Sequence, residues 1–295
     1  MNNQYKAYLF GLGAVICWST VATAFKLSLQ HLTPAQLLLY ASVVSCGFLL
    51  LTLFARGELG LLSRLTGRDY VASLVFGTIN PLIYYLILLR AYELLPAQEA
   101  QAINYTWALT MSLLAIPILG HRLRKQDLLA ALLCYCGVLV ISTQGKVLSM
   151  QFSSLTGVSL ALISTVIWAI YWLFNTKDPR PAILGLCLNF MVAIPLITLY
   201  CWWNDQLQLP NWQGFAGAVY IGIFEMGLSF VLWLTAMKLT QSTARISNLI
   251  FIAPFLSLGF ISVFLGETIH SATLVGLLMI IAGLSFQQLR FSSAN

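Results

Sequence analysis

Charged residues are scarce in this chain. Only 8% of its 295 residues are Asp, Glu, Lys or Arg, whereas a typical soluble domain has about 25%. A soluble chain of this length could not cover its surface with so few charges, and 59% of the residues are hydrophobic. The composition therefore excludes a water-soluble enzyme, a disordered chain and a nucleic-acid-binding protein.

The sequence also lacks the motifs of metal, disulfide and catalytic sites. Its six cysteines fall inside apolar runs rather than at loop spacings, which argues against a disulfide framework or a zinc site. The histidines His31, His121 and His270 are far apart, and no His-Glu-x-x-His sequence occurs. We therefore expect no catalytic residue, no metal and no cofactor. A membrane-embedded enzyme or a channel-like protein is the alternative from a different class.

Long apolar runs are what the sequence has instead. A membrane-spanning helix needs about 20 predominantly apolar residues, and the chain has ten runs of roughly that length. The connections are short, the longest being 55–69, so they leave no room for a soluble domain. We predict an all-α integral membrane protein with ten transmembrane helices at 7–25, 34–54, 70–91, 97–119, 127–143, 155–176, 182–203, 212–237, 242–265 and 272–290.

Lys and Arg are distributed unevenly between the two sides of this predicted membrane domain. If successive helices alternate in direction, most of these residues fall on the side of both termini, which the positive-inside rule makes cytoplasmic. The opposite side holds Lys26, Arg90 and Lys146. The sequence predicts a monomeric multi-pass protein embedded in the lipid bilayer of the bacterial inner membrane, with both termini in the cytoplasm.

The two halves of the chain resemble each other when shifted by about 145 residues. The shift aligns three pairs of glycines. It divides the chain into one predicted five-helix repeat at 1–146 and a second at 147–295. Five is an odd number, so the second repeat enters the membrane upside down relative to the first. Such inverted repeats are typical of secondary transporters, whose substrate site lies near the bilayer midplane between the repeats. The aligned glycines are Gly77 with Gly222, Gly120 with Gly266, and Gly137 with Gly283.

Several short motifs resemble a known family. Cys17-Trp18-Ser19 in the first helix, Pro254-Phe-Leu in the ninth and Leu265-Gly266-Glu267 at its end resemble EamA-type members of the drug/metabolite transporter superfamily. Asn104-Tyr105-Thr106-Trp107 is similar to a segment of the aromatic amino acid exporter branch, although Ala108 stands where that branch has Pro and His121 replaces a Glu. The resemblance implies a basket-like helical bundle, alternating access through a central cavity, and export of amino acids or other small metabolites.

Glu225 is the most informative candidate for a site. It lies in the middle of the eighth predicted helix, where an ionisable side chain is costly and by default indicates function. The shift of 145 places Asn80 at the matching position of the third helix, followed by Pro81. Ser229 follows Glu225 by one turn and shares its face. We expect Glu225 to face the cavity and to bind a cationic group or carry a proton; the alternative is a neutral carboxyl that only holds helices together.

Further polar and aromatic residues are candidates for substrate binding. Asn104 and Trp107 share one face of the fourth helix, as Asn248 does with its neighbours on the ninth. Aromatic rings attract cations and pack against aromatic groups. Helix packing is the alternative role for all of these side chains. The full set of predicted substrate-binding residues is Glu225, Asn80, Tyr84, Asn104, Trp107, Trp18, Trp168, Asn248 and Ser229.

Four charged residues are candidates for gating. Arg90, Glu93 and Glu99 lie near the outer ends of the third and fourth helices, where we expect an ion pair that gates the cavity. Arg245, at the start of the ninth helix, is the deepest basic residue. The alternative for such helix-end charges is that they extend to water.

Together these features predict a secondary transporter. We expect it to export small metabolites, in particular neutral or aromatic amino acids, and to couple export to proton entry through Glu225. Carriers of sugar derivatives or of organic cations remain the alternatives within the same class.

Overall fold

The computed structural model describes residues 3–119, 125–175, 177–241, 246 and 248–288. Within these ranges the chain is helical and contains no β-strand. The predicted runs 155–176, 242–265 and 272–290 lie partly outside the described residues. Of the glycine pairs, Gly120 lies outside them as well.

Eleven helical segments follow the predicted runs closely. They are α1 (Asn3–Leu29), α2 (Pro34–Ala55), α3 (Gly67–Leu94), α4 (Ala97–Asn104), α5 (Trp107–Leu119), α6 (Lys125–Ser142), α7 (Leu155–Asn175), α8 (Ala182–Trp203), α9 (Trp212–Leu239), α10 (Asn248–Leu265) and α11 (Ser271–Gln288).

Eight of these helices are long and apolar enough to cross a membrane, namely α1, α2, α3, α6, α7, α8, α9 and α10. The fourth predicted run differs from the expectation of one continuous helix, because it is divided into α4 and α5 at Tyr105 and Thr106. The tenth run gives α11, whose apolar part spans Ser271–Gln287 and is shorter than the other eight.

Local sequence explains where several helices begin. Thr33 caps α2 by accepting a hydrogen bond from the backbone of Gln36, and the Gln36 side chain accepts one from Thr33. Asn211 caps α9 by accepting from the backbone of Gly214 at 2.8 Å. Such caps satisfy amide groups that have no partner inside the helix.

Two of the long helices are distorted at matching places. In α3 the segment Thr78–Ile83 is a π-helix, and Asn80 has non-helical angles (φ −142°, ψ 116°) just before Pro81. In α9 the segment Ile221–Leu228 is also a π-helix, and it contains Glu225. The two distortions fall about 145 residues apart, so the candidate residues Asn80 and Glu225 lie at irregular helix turns, where functional sites are frequent.

The helices pack in a recurring pattern. In one set of contacts α1 packs against α9 and α10, and in the other α7 packs against α3 and α5. Likewise α2 packs against α9, and α8 against α3. Two further pairs, α2 with α8 and α6 with α11, each join a helix of the first half to one of the second.

Hydrogen bonds distinguish the two ends of the bundle. The amino-terminal face holds the start of α1, where Gln4 accepts hydrogen bonds from Thr240 and from the backbone of Gln241. The opposite face holds the end of α1, where Thr33 donates to Gln206 at 2.9 Å.

Candidate substrate cavity

A cavity of about 130 Å³ lies among α1, α3, α4, α5, α7, α9 and α10. Most of its wall is aromatic, and Gln101, Asn104 and Glu225 provide its main polar side chains. The lining residues are Trp18, Val21, Ala22, Phe25, Tyr84, Leu88, Tyr92, Gln101, Asn104, Tyr105, Trp107, Trp168, Trp172, Glu225, Phe230, Trp233 and Ile250.

The aromatic side chains of the wall are packed against one another. Trp168 stacks on Tyr84 with ring centroids 4.4 Å apart and an interplanar angle of 28°. Trp18 lies 5.2 Å from Trp233, so α1 contributes to the same wall. Such contacts fix the ring orientations, and the cavity therefore offers preoriented ring faces to an apolar or cationic group.

Glu225 carries the only acidic side chain among the described residues of this cavity. Its Oε1 accepts a hydrogen bond from the hydroxyl of Tyr85 at 3.0 Å. Its Oε2 is buried and has no hydrogen-bond partner. The Nε1 of Trp172, another lining residue, is likewise buried without a partner. The residues of the cavity wall thus include one unpaired carboxylate oxygen and one unpaired N–H donor.

The structure brings six of the nine predicted substrate-binding residues to this cavity, namely Glu225, Tyr84, Asn104, Trp107, Trp18 and Trp168. Asn104 donates to the hydroxyl of Ser164 at 3.2 Å.

The other three predicted binding residues lie elsewhere. Asn80 is 1% exposed and is buried outside the cavity. Ser229 donates to the backbone oxygen of Glu225 at 2.6 Å, so its hydroxyl is bound to its own helix. Asn248 is exposed at the start of α10. Neither a matching position in the other half, for Asn80, nor a shared helix face, for Ser229 and Asn248, was therefore sufficient to place these side chains in the cavity.

The structure shows the Arg90–Glu93 part of the predicted ion pair and corrects the part assigned to Glu99. Arg90 pairs with Glu93, which lies on the same helix, and both side chains are substantially exposed. Glu99 is fully buried and accepts hydrogen bonds from Ser153 and Gln144 instead. The first turn of α4 directs Glu99 toward the loop after α6. Arg245 lies outside the described residues.

Residues that were not predicted close the cavity toward the opposite face. The ring of Phe25 lies 5.2 Å from that of Tyr92. One residue further along, Lys26 donates to the backbone oxygens of Tyr92 and Leu95, each at 2.9 Å. The end of α1 is thereby attached to the end of α3.

Glu267 adds a second connection on that face. Its Oε1 accepts from the backbone N–H of Ala97 at 2.9 Å, at the start of α4. Gln98 in turn accepts from the backbone of His270 and from the hydroxyl of Thr273. A carboxylate at a helix N-terminus satisfies free amides and favours the helix dipole. The motif Leu265-Gly266-Glu267 was visible in the sequence, but its partner 170 residues away was not.

Comparisons with known proteins agree on one family. The model of the EamA-like transporter family matches this chain twice, at residues 5–143 and 155–287. An uncharacterized transporter from Bacillus subtilis is 24% identical over 92% of this chain and 87% of its own length.

Two relatives have names that state a solute. A probable amino-acid metabolite efflux pump from Salmonella typhimurium is 25% identical over 92% of this chain and 90% of its own length. An aromatic amino acid exporter from Ancylobacter novellus is 24% identical over 80% of this chain and 81% of its own length. A solved crystal structure, 22% identical, matches 96% of both chains with a TM-score of 0.66 and shows a similar fold.

Proposed function

The chain belongs to the EamA-like transporter family, and from this we propose that it exports small metabolites, in particular neutral or aromatic amino acids, by alternating access through the central cavity. The observation that carries the proposal is the unpaired carboxylate oxygen of Glu225 inside an aromatic wall. The names of two relatives, an exporter and an efflux pump, support the outward direction.

The arrangement of polar groups suits an amino acid. The Glu225 carboxylate can bind an ammonium group, and the unpaired Nε1 of Trp172 can donate to a carboxylate. The rings of Tyr84 and Trp168 offer faces for an aromatic or aliphatic side chain. Polyanions are disfavoured, because Glu225 repels them in a medium of low dielectric constant.

We further propose that the chain crosses the bilayer ten times as two inverted five-helix repeats. The packing supports this, because α1 contacts α9 and α10 in the way that α7 contacts α3 and α5. The close contacts at glycines also correspond: a Cβ on Gly77 would lie 2.5 Å from a backbone oxygen of α8, and one on Gly222 would lie 2.6 Å from a backbone oxygen of α2. Both termini are then on the cytoplasmic side, and one chain contains the whole pathway.

The position of Glu225 supports proton coupling. A carboxyl in a desolvated cavity is less costly when neutral, so it can release a proton when a cationic substrate binds. Substrate and proton would then compete for one carboxylate, and export would be coupled to proton entry. Each proton that moves with the field contributes about 2.3 kcal/mol per 100 mV.

The test is transport by purified protein in liposomes, comparing the wild type with Glu225→Gln. We expect saturable counterflow of neutral amino acids in the wild type, stimulated by a proton gradient. Glu225→Gln keeps the shape of the side chain and should lose at least tenfold in rate together with the pH dependence. Glu58→Gln, in the loop between α2 and α3, is the matched control and should transport normally.

Three outcomes would contradict the proposal. Retention of both rate and pH dependence in Glu225→Gln would make Glu225 a structural residue. Saturable uptake of a sugar nucleotide, with no counterflow of amino acids, would replace the proposed substrate class. An absence of any solute flux would favour the enzyme alternative.

A further inference from the structure

Two side-chain amides are buried outside the central cavity, on helices α3 and α8, which pack against each other. Asn189 is fully buried, and neither its Oδ1 nor its Nδ2 has a hydrogen-bond partner. Asn80 is 1% exposed, and its Oδ1 also lacks a partner. Buried polar atoms nearly always have a partner, so unpaired ones call for an explanation such as a bound ion or water.

Tyr171 of α7 completes this group. Its hydroxyl lies beside the amides of both Asn80 and Asn189, and the residue is 2% exposed. Gly77 allows the close approach of α3 to α8, since a Cβ there would lie 2.5 Å from the backbone oxygen of Asn189. The three side chains thus come from three helices and meet at one buried place.

The backbone of α3 is irregular at the same place. Pro81 has no N–H and Asn80 has non-helical angles, so the regular hydrogen-bond pattern of an α-helix is interrupted here. The half-helix before the break ends here, and the C-terminal end of a helix carries partial negative charge. In transporters with discontinuous helices, unwound carbonyls and such helix ends coordinate Na⁺ or H⁺.

We propose that Asn80, Asn189 and Tyr171 form a binding site for a monovalent cation of the size of Na⁺, separate from the substrate cavity. Amide, hydroxyl and carbonyl oxygens are hard ligands without formal charge. They suit a monovalent ion, whereas protein sites for divalent hard cations usually include carboxylates.

The charged residues nearest to Tyr171 on the described helices and loops form a neutral pair. Asp178 and Arg180 are joined by an ion pair at 2.6 Å, and Arg180 lies 6.0 Å from the ring of Phe76, which packs against Tyr171. This pair compensates itself, so it neither supplies nor repels the ion. A bound cation links α3, α7 and α8 and stabilises their present packing.

The experiment measures thermal unfolding of the purified full-length protein while NaCl replaces N-methylglucamine chloride at constant ionic strength. We expect the unfolding temperature to rise with Na⁺ concentration and to saturate, because an ion that binds only the folded state stabilises it. KCl should have a smaller effect. No transport substrate is needed, so the result is independent of the proposed export function.

Two variants and one control locate the site. Asn189→Leu should remove the Na⁺ effect, and Tyr171→Phe, which keeps the ring and loses one oxygen, should require at least tenfold more Na⁺. Asn204→Ala, an exposed residue just after α8, should respond like the wild type. If Asn189→Leu does not fold, Tyr171→Phe and the wild type still decide the matter. The proposal is overturned if Na⁺ acts no differently from N-methylglucamine, or if it acts equally on the wild type and Tyr171→Phe.

Discussion

The hydroxyl of Tyr85 donates a hydrogen bond of 3.0 Å to Oε1 of Glu225, which joins α3 to α9 across the boundary between the two halves of the chain. Tyr85 is 1% exposed, so water does not compete freely for this bond. The acidic side chain of the cavity is therefore held by a single described partner, and its second oxygen is unpaired.

Tyr85→Phe should destabilise the protein by about 1–3 kcal/mol, the usual cost of leaving a buried polar group unpaired. The measurement is unfolding in detergent, with Tyr70→Phe as the control because Tyr70 is 49% exposed. In a double-mutant cycle, Tyr85→Phe and Glu225→Gln should be less than additive, since both change the same hydrogen bond. Additive effects would mean that the two side chains do not interact in solution.

Trp168→Leu should weaken the transport of aromatic substrates more than that of aliphatic ones. Trp168 stacks on Tyr84, and an aromatic contact contributes about 0.5–1.5 kcal/mol beyond burial. We therefore expect about a two- to tenfold loss of affinity for tryptophan or phenylalanine, measured by competition in counterflow. Trp203→Leu, at a residue that is 79% exposed, should change neither. An equal loss for leucine and tryptophan would show that Trp168 shapes the cavity without contacting the substrate ring.

Hydropathy predicted most of the fold because each apolar run had to become a helix in the absence of water. It did not predict the division between α4 and α5 at Tyr105 and Thr106. That run contains no Pro or Gly before Pro117, so nothing in its composition indicated a break. An interrupted helix at such a place is stabilised by the surrounding helices, and one sequence does not reveal those contacts.

The candidate site could be predicted only in part, for a similar reason. Glu225 was identified because an acid at membrane depth is rare. Tyr85, its partner, is one of two adjacent tyrosines, and only the packing of α3 decides which of them meets the carboxylate. Asn80 was expected in the cavity by analogy with Glu225, but it points into the group formed with Asn189. Matching positions in the two halves therefore share a distorted backbone, although their side chains do not line the same cavity.

Gly137→Ala should destabilise the contact between α6 and α11. A Cβ on Gly137 would lie 2.6 Å from the backbone oxygen of Gly276, so the two helices would have to separate. Small residues permit this kind of close approach in membranes, and overpacking costs about 1–3 kcal/mol. Gly259→Ala is the control, because a Cβ there has no neighbour within 4 Å. Unfolding of the two variants should differ accordingly, and equal stability would mean that α6 and α11 are less tightly packed than described.

Glu267→Gln should favour opening of the opposite face. Glu267 accepts hydrogen bonds from the backbone at the start of α4, and the loss of its charge at a helix N-terminus costs about 0.3–1 kcal/mol. Because 1.4 kcal/mol corresponds to a tenfold change in an equilibrium constant, the population of the open state should rise about two- to fivefold.

A cysteine placed at Leu88, which lines the cavity, can report this opening. In the parent protein for this experiment, Cys17 and Cys136 are replaced by Ala, because they are the natural cysteines with exposed surface. A membrane-impermeant thiol reagent added at the opposite face should label this cysteine about two to five times faster in Glu267→Gln. Glu93→Gln is the control. Glu93 is a more exposed carboxyl on the same face and pairs with a residue of its own helix, so its substitution should leave the labelling rate unchanged. Equal labelling rates in Glu267→Gln and the parent would contradict this prediction. They would show that the hydrogen bonds of Lys26 and the Phe25–Tyr92 contact, which join α1 to α3, keep this face closed without Glu267.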